Sequence, residues 1–153
     1  LAPMVRPDAR EELQRQVDAS IAAGAKLLIG GRKGAGPCEY PATILDAVKP
    51  GMVAYSEELF GPVASIIRAD DEDDAIRIAN DTAFGLGASV WTRDKARGEA
   101  VARRIQAGAV FVNALVRSDV RLPFGGTKTS GFGRELAEHG IHEFMNIKTV
   151  YVD

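Results

Sequence analysis

Short β-branched runs alternate with helical stripes along this chain, and glycines stand at many of the junctions. Val63-Ala64-Ser65-Ile66-Ile67 reads as a buried strand, and Ala88-Ser89-Val90-Trp91 and Ala109-Val110-Phe111-Val112 read as two more. Between them run helically spaced residues: Ala75, Ile76, Ile78 and Ala79, then Ala96, Ala100, Val101 and Ile105 facing inward. Asp94 is placed to cap the second of these helices and Gly108 to stop it. Nearer the start, Pro7-Asp8 predicts a helix capped by Asp8, with Leu13, Val17 and Ile21 in a stripe and Gly24 at its end. Strands over Lys26 to Ile29 and Ala42 to Leu45 follow, and Pro50-Gly51 opens a long loop running to Pro62. A short helix over Leu136 to Phe144 and a last strand over Ile147 to Val152 complete the reading. Strand–helix alternation in units of this length predicts an α/β fold, a largely parallel open sheet with flanking helices. Such sheets bind their ligands beyond the carboxyl ends of the strands, where Asn113 and a glycine-rich loop follow one strand.

Composition narrows the function. The chain has 153 residues, 46% hydrophobic and 26% charged, enough to bury one domain's core. A formal net charge of -2 supplies no basic field for nucleic acid or an anionic membrane surface. No apolar run reaches bilayer length and no signal-peptide pattern opens the chain, so no membrane partner is expected. The single cysteine, Cys38, excludes an internal disulfide and fits a reducing, cytoplasmic setting. Leu1 in first place predicts a chain that begins inside a longer product, although Met4 offers a start of its own.

The stretch Leu122 to Glu135 packs four glycines, a proline, two phenylalanines and a Lys/Arg/Glu set into fourteen residues. Glycines beside aromatic anchors suit a shaped loop, the kind of segment that carries sites on a rigid scaffold. Two nucleotide motifs are excluded there. Gly125-Gly126-Thr127-Lys128 lacks the spacing of a phosphate loop, and Gly131-Phe132-Gly133 lacks the dinucleotide fingerprint and follows a loop instead of a strand. Asp70-Asp71-Glu72-Asp73-Asp74 reads as an acidic helix start favoured by the helix dipole, without the glycine and spaced oxygens of a calcium loop. His139 and His142 have no further ligands at zinc spacing, so no metal site is expected. Cys38 has no cation, helix start or base beside it in sequence, which leaves it structural. Glu57-Glu58 before Phe60 fits a carboxylate on ribose hydroxyls with a ring against a flat heterocycle, but taken alone it reads first as an exposed acidic pair next to a core phenylalanine.

Four stretches taken together are more specific than any one. Glu57-Glu58-Leu59-Phe60-Gly61-Pro62-Val63, Phe84-Gly85-Leu86, Gly108-Ala109-Val110-Phe111-Val112-Asn113 and Pro123-Phe124-Gly125-Gly126-Thr127-Lys128-Thr129-Ser130-Gly131-Phe132-Gly133-Arg134-Glu135 resemble, in order and spacing, the last third of an aldehyde dehydrogenase. Lys148-Thr149-Val150 fits as well, so the resemblance spans essentially the whole chain. It implies that residues 1–145 are the later part of the catalytic domain and residues 146–153 a C-terminal oligomerisation strand in a homo-oligomer. In that family a cysteine thiolate attacks the aldehyde, hydride passes to the nicotinamide of NAD or NADP, and a glutamate-activated water releases the acid. By resemblance, Glu58 holds the nicotinamide ribose and Phe60 packs near the nicotinamide, with Leu86 and Phe124 close by. Asn113 and the glycine loop shape the substrate mouth.

The loop Val116-Arg117-Ser118-Asp119-Val120-Arg121-Leu122 resembles that of succinate-semialdehyde dehydrogenases, where a serine five residues before the proline binds the substrate carboxylate. Ser118 occupies that place, and Arg117 or Arg121 is available to add charge-assisted hydrogen bonds. The small-molecule substrate implied is therefore succinate semialdehyde. The nucleophilic cysteine, the activating glutamate, the oxyanion asparagine and the cofactor-binding fold lie upstream in the family, so residues 1–153 alone are predicted to be inactive. The competing reading is a stand-alone, non-catalytic assembly module that binds partner subunits by adding its last strand to an open sheet edge.

Overall fold

Proline at the first helical position fixes one backbone angle where no amide is needed, and α1 (Pro7–Ala22) begins there. Asp8 does not cap it: Arg6 is the flanking residue, no side chain accepts from the first turn, and Asp8 pairs instead with Arg6 at 3.0 Å. Proline at the start leaves less for a cap to satisfy. At the other end Gly24 adopts φ +107°, its amide reaches Ile21 O at 2.9 Å and the Ala25 amide reaches Ser20 O at 3.0 Å, a Schellman ending. Leu13, Gln16, Val17 and Ser20 form the buried face.

All 153 residues are described by the computed structural model, and they divide into two units, Leu1–Asp70 and Asp71–Asp153. In the first, β1 (Lys26–Ile29), β2 (Thr43–Asp46) and β3 (Val63–Ser65) form a sheet in the order β1-β2-β3. β1 runs antiparallel to β2 with a bulge between Leu27 and Ile29, whereas β2 and β3 are parallel, Thr43 opposite Val63 and Leu45 opposite Ser65. Central β2 turns Thr43 and Leu45 onto α1, where Leu45 joins Leu13, Val17, Val48 and Met52 in the core. α2 (Val53–Ser56), a single turn inside the stretch expected to be loop, is tied to α1 by the Ala54 amide on the buried Ser20 hydroxyl at 2.9 Å. β3 is shorter and less buried than Val63 to Ile67 promised, because it forms an edge and its chain turns away after Ser65.

The second unit is a parallel pair with a helical crossover. β4 (Gly87–Val90) and β5 (Ala109–Val112) pair in register, Gly87 opposite Ala109 and Val90 opposite Val112. The acidic run behaves as expected. Asp71 caps α3 (Glu72–Asn80) by accepting from the Asp74 amide at 2.8 Å, and Asp73 pairs with Arg104 at 2.7 Å. Asp94 caps α4 (Lys95–Ala102) through the Arg97 amide at 3.1 Å. Of the residues expected to face inward, Val101 and Ile105 are half-buried, whereas Ala96 and Ala100 are exposed and the buried residue of α4 is Gly98. A Cβ on Gly98 would lie 2.6 Å from Val112 Cγ1 and 2.9 Å from Thr92 Cγ2, so the missing side chain is what lets α4 rest on β5.

The expected single sheet is thus two small ones, with two of the three strand pairings parallel. A 3₁₀ turn (Lys128–Ser130) and α5 (Ala137–His142) follow β5. Ile147 to Val152 pair with no strand in the single chain, and Ile147 is 93% exposed. A strand needs a neighbour, and the chain by itself offers these residues none.

Leu45→Ala should destabilise the Leu1–Asp70 unit by about 2–5 kcal/mol in urea unfolding, since it empties the centre of that core. Leu28→Ala, on exposed β1, should stay within about 0.5 kcal/mol.

Candidate functional site

The glycine-rich loop is held by backbone atoms. Gly85 O accepts from both the Gly108 and the Thr127 amides, each at 2.9 Å, which ties the approach to β4, the approach to β5 and the loop to one oxygen. A Cβ on Gly108 would collide with Gly125 O, so this crossing admits only glycine. Ser130 Oγ accepts from the Gly85 amide at 3.0 Å, and Phe124 and Glu135 exchange amide–carbonyl bonds at 2.8 and 2.7 Å, closing the loop at its base. Lys128 Nζ donates to Asn80 O at 2.7 Å and Thr82 O at 3.0 Å, a cation on the C-terminal carbonyls of α3. Its charge is spent on the helix end. Asn113 is similarly committed: its side chain accepts from the Thr92 amide at 2.9 Å and donates to Thr92 O at 2.8 Å.

Beside β5 lies a cavity of about 430 Å³ whose walls include Phe111, Leu122 and Phe124, with Arg117 and Asp119 as its ionisable lining. Ser118 is exposed and stands outside that lining. Arg121 clasps Asp119 through Nε to Oδ1 at 2.9 Å and Nη2 to Oδ2 at 2.6 Å, and its own amide donates to Oδ1 at 3.0 Å. That guanidinium, then the amide, holds the Asp119 carboxyl well below the usual carboxylate range.

In the first unit, the loop between α2 and β3 is hung from α1. Gln16 Nε2 donates to Glu57 Oε2 at 3.0 Å and to Glu58 O at 3.2 Å, which fixes the loop backbone. The Glu58 carboxylate itself faces solvent with no side-chain partner, and Phe60, two residues on, is 73% exposed. Phe60 and Leu59 border a hollow of about 340 Å³ completed by Met4 and Val5. Phe60 is therefore not the core residue that its neighbours' spacing also allowed. Cys38, the only thiol, is partly buried.

The sequence profile of the aldehyde dehydrogenase family matches residues 1–150. The chain belongs to that family. Over 100% of its length it is 50% identical to a succinate semialdehyde dehydrogenase [NAD(P)+] of Escherichia coli, covering 33% of that protein. It is 50% identical to succinate-semialdehyde dehydrogenase [NADP(+)] 1 of Mycobacterium ulcerans, over 99% of this chain and 33% of the relative. The crystal structure of succinic semialdehyde dehydrogenase from Streptococcus pyogenes in complex with NADP+ superposes with a TM-score of 0.93 at 35% identity, covering 99% of this chain and 34% of that one. The chain spans about a third of the length of the curated relatives it matches.

Within this aldehyde dehydrogenase segment, Glu58 and Phe60 sit together on one exposed loop of the first unit, while Leu86, Ser118, Arg121 and Phe124 belong to the second. Phe124 shares its cavity with Arg117 and Asp119, and Arg121 stands behind Asp119. Leu86 is exposed, its carbonyl accepting the Ala109 amide at 3.2 Å. Asp119, Lys128 and Gln16 hold this architecture, and residue-by-residue reading passed over all three. For Asp119 a signal existed in an acid flanked by arginines two residues away on either side.

Gly108→Ala should break the crossing at Gly125, seen as faster hydrogen exchange at the Phe124 and Thr127 amides by at least about tenfold, the equivalent of about 1.4 kcal/mol of lost protection. The Asp119 clasp has a defined pH window. Its folded pKa is depressed, so its contribution is present above the unfolded carboxylate value of about 3.9 and is lost only as pH falls through the lower folded value. A carbon-detected NMR titration should show Asp119 still ionised at pH 4, and Arg121→Ala should return its midpoint toward about 3.9.

Proposed function

We propose that residues 1–153 form the C-terminal third of an NAD(P)-dependent aldehyde dehydrogenase that oxidises succinate semialdehyde to the dicarboxylic acid. The observation that carries this reading is identity of 50%, across the whole chain, with a protein named for that activity and for both cofactors. The loop around Ser118 supports it, since it presents a hydroxyl and two arginines in five residues.

The residues present fit a nicotinamide cofactor. A partnerless Glu58 carboxylate offers acceptors for ribose hydroxyls, and the open face of Phe60 on the same loop offers a flat apolar surface. Glu58 and Phe60 would hold that end of the cofactor. When bound, the cofactor supplies the acceptor for the aldehyde's hydride. Gln16 keeps Glu58 in place by gripping the loop backbone, and Ser118, with Arg117 or Arg121 beside it, orients the substrate through its carboxylate. Cys38 is given no chemical role. The nucleophile and the activating carboxylate are assigned to the part of the enzyme that precedes this segment, so the isolated chain should not turn over aldehyde. The exposed terminal segment Ile147 to Val152 is assigned to pairing with a neighbouring subunit, which would supply the strand neighbour it lacks.

The natural product containing this chain should be several-fold heavier than 16.3 kDa and should reduce NAD or NADP with succinate semialdehyde. A product of this chain's own mass, inactive and bound to other subunits, would favour the assembly-module reading. In the full enzyme, Ser118→Ala should raise KM for succinate semialdehyde by about three- to tenfold more than for an uncharged aldehyde. Equal effects on both would remove Ser118 from the site.

A further inference from the structure

Glu57 and Glu58 are neighbours on the loop between α2 and β3, and the fold uses them differently. The Glu58 carboxylate has no side-chain partner. Oε2 of Glu57 accepts from Gln16 Nε2 at 3.0 Å and lies 3.6 Å from Arg15 Nη2. The same Gln16 nitrogen donates to Glu58 O at 3.2 Å. Gln16 is 6% exposed, on the buried face of α1. Two acceptors on consecutive residues therefore meet one end of one buried amide.

A glutamine amide donates at one end and accepts at the other, and the two ends are nearly alike in shape. Packing alone does not decide which end meets Glu58 O. Charge does. A carboxylate only accepts, and it binds an N–H more strongly than a neutral carbonyl does. Turning the amide over would set its oxygen against both the Glu57 carboxylate and Glu58 O. Resting on the reading that Glu58 holds the cofactor's ribose, we infer that Glu57 is a positioning residue for cofactor binding. Its carboxylate orients the Gln16 amide, and that amide fixes the backbone from which Glu58 reaches out. Arg15 adds little, because its bidentate contact is with Glu12 and an exposed pair at 3.6 Å is well screened. The acidic pair is thus divided: one carboxylate faces the ligand, and the other sets the donor that holds its neighbour.

Glu57 suits a clean test, since its side chain is 47% exposed and its loss opens no cavity in the core. In the full-length natural product containing residues 1–153, Kd for NADH and for NADPH is measured by nicotinamide fluorescence, and the tighter of the two is followed. KM for the aldehyde is measured separately at saturating cofactor. Glu57→Ala should weaken cofactor binding about three- to tenfold and leave the aldehyde KM within about twofold. Glu57→Gln keeps an acceptor at that place and should stay within about twofold of wild type. Gln16→Met, of similar volume, should weaken cofactor binding at least as much as Glu57→Ala. The double variant should lie within about twofold of Gln16→Met alone, because a carboxylate cannot orient an amide that is gone. The inference is overturned if Glu57→Ala binds the cofactor as wild type does, if Glu57→Gln loses as much as Glu57→Ala, or if the losses in the double variant multiply. Should Gln16→Met fail to fold, the comparison of alanine with glutamine at position 57 still decides. Unchanged cofactor affinity in Glu58→Ala would instead remove Glu58 from the cofactor site, a separate failure of the reading on which the role of Glu57 rests.

Discussion

One carbonyl oxygen, that of Gly85, gathers the second unit. It receives the amides of Gly108 and Thr127, and a glycine crossing at Gly108 and Gly125 lets those segments come close enough for it to do so. The glycine loop after β5 is tied to this junction. The glycine loop returns to it through Ser130, and Phe124 and Glu135 close the loop behind it. Because the ties at Gly108, Thr127, Phe124 and Glu135 are backbone to backbone, their geometry does not depend on side-chain rotamers, which suits a loop that must present residues to a site.

Charges follow a consistent economy. Lys128 satisfies the end of α3, Arg104 answers the acidic start of that helix, and Arg121 answers Asp119. Exposed pairs like these add little to stability, so their effect lies in deciding which charges stay available. Glu58 and Arg117 are among the charges left open, one an acceptor and one a donor.

The alternation of runs and stripes is enough to place β1 and β5 to the residue, because both are short, largely apolar and closely preceded by glycine. Caps were legible where an acid stands free before a helix, as at Asp71 and Asp94, and misleading at Asp8, where proline had already set the helix start. The buried face of α4 escaped notice for a different reason. Glycine carries no hydropathic signal, so the contact at Gly98 leaves no mark in a periodicity. The terminal strand shows the limit of propensity: Ile147 to Val152 have suitable side chains, but pairing is a property of two segments. In the candidate site, Glu58 and Phe60 are proposed from family spacing, whereas the pairing of Arg121 with Asp119 is a fact of distance that residue order does not contain.

β1 carries one further consequence. Its four residues are exposed, Leu27, Leu28 and Ile29 among them, and its outer edge pairs with no strand. Unpaired amides and carbonyls flanked by branched apolar side chains form a template on which another extended chain can crystallise, and short length, a bulge and Lys26 are the only devices here that oppose it. Four residues and a bulge keep that template short, so the edge can accept a strand without offering the longer segment that a fibre needs.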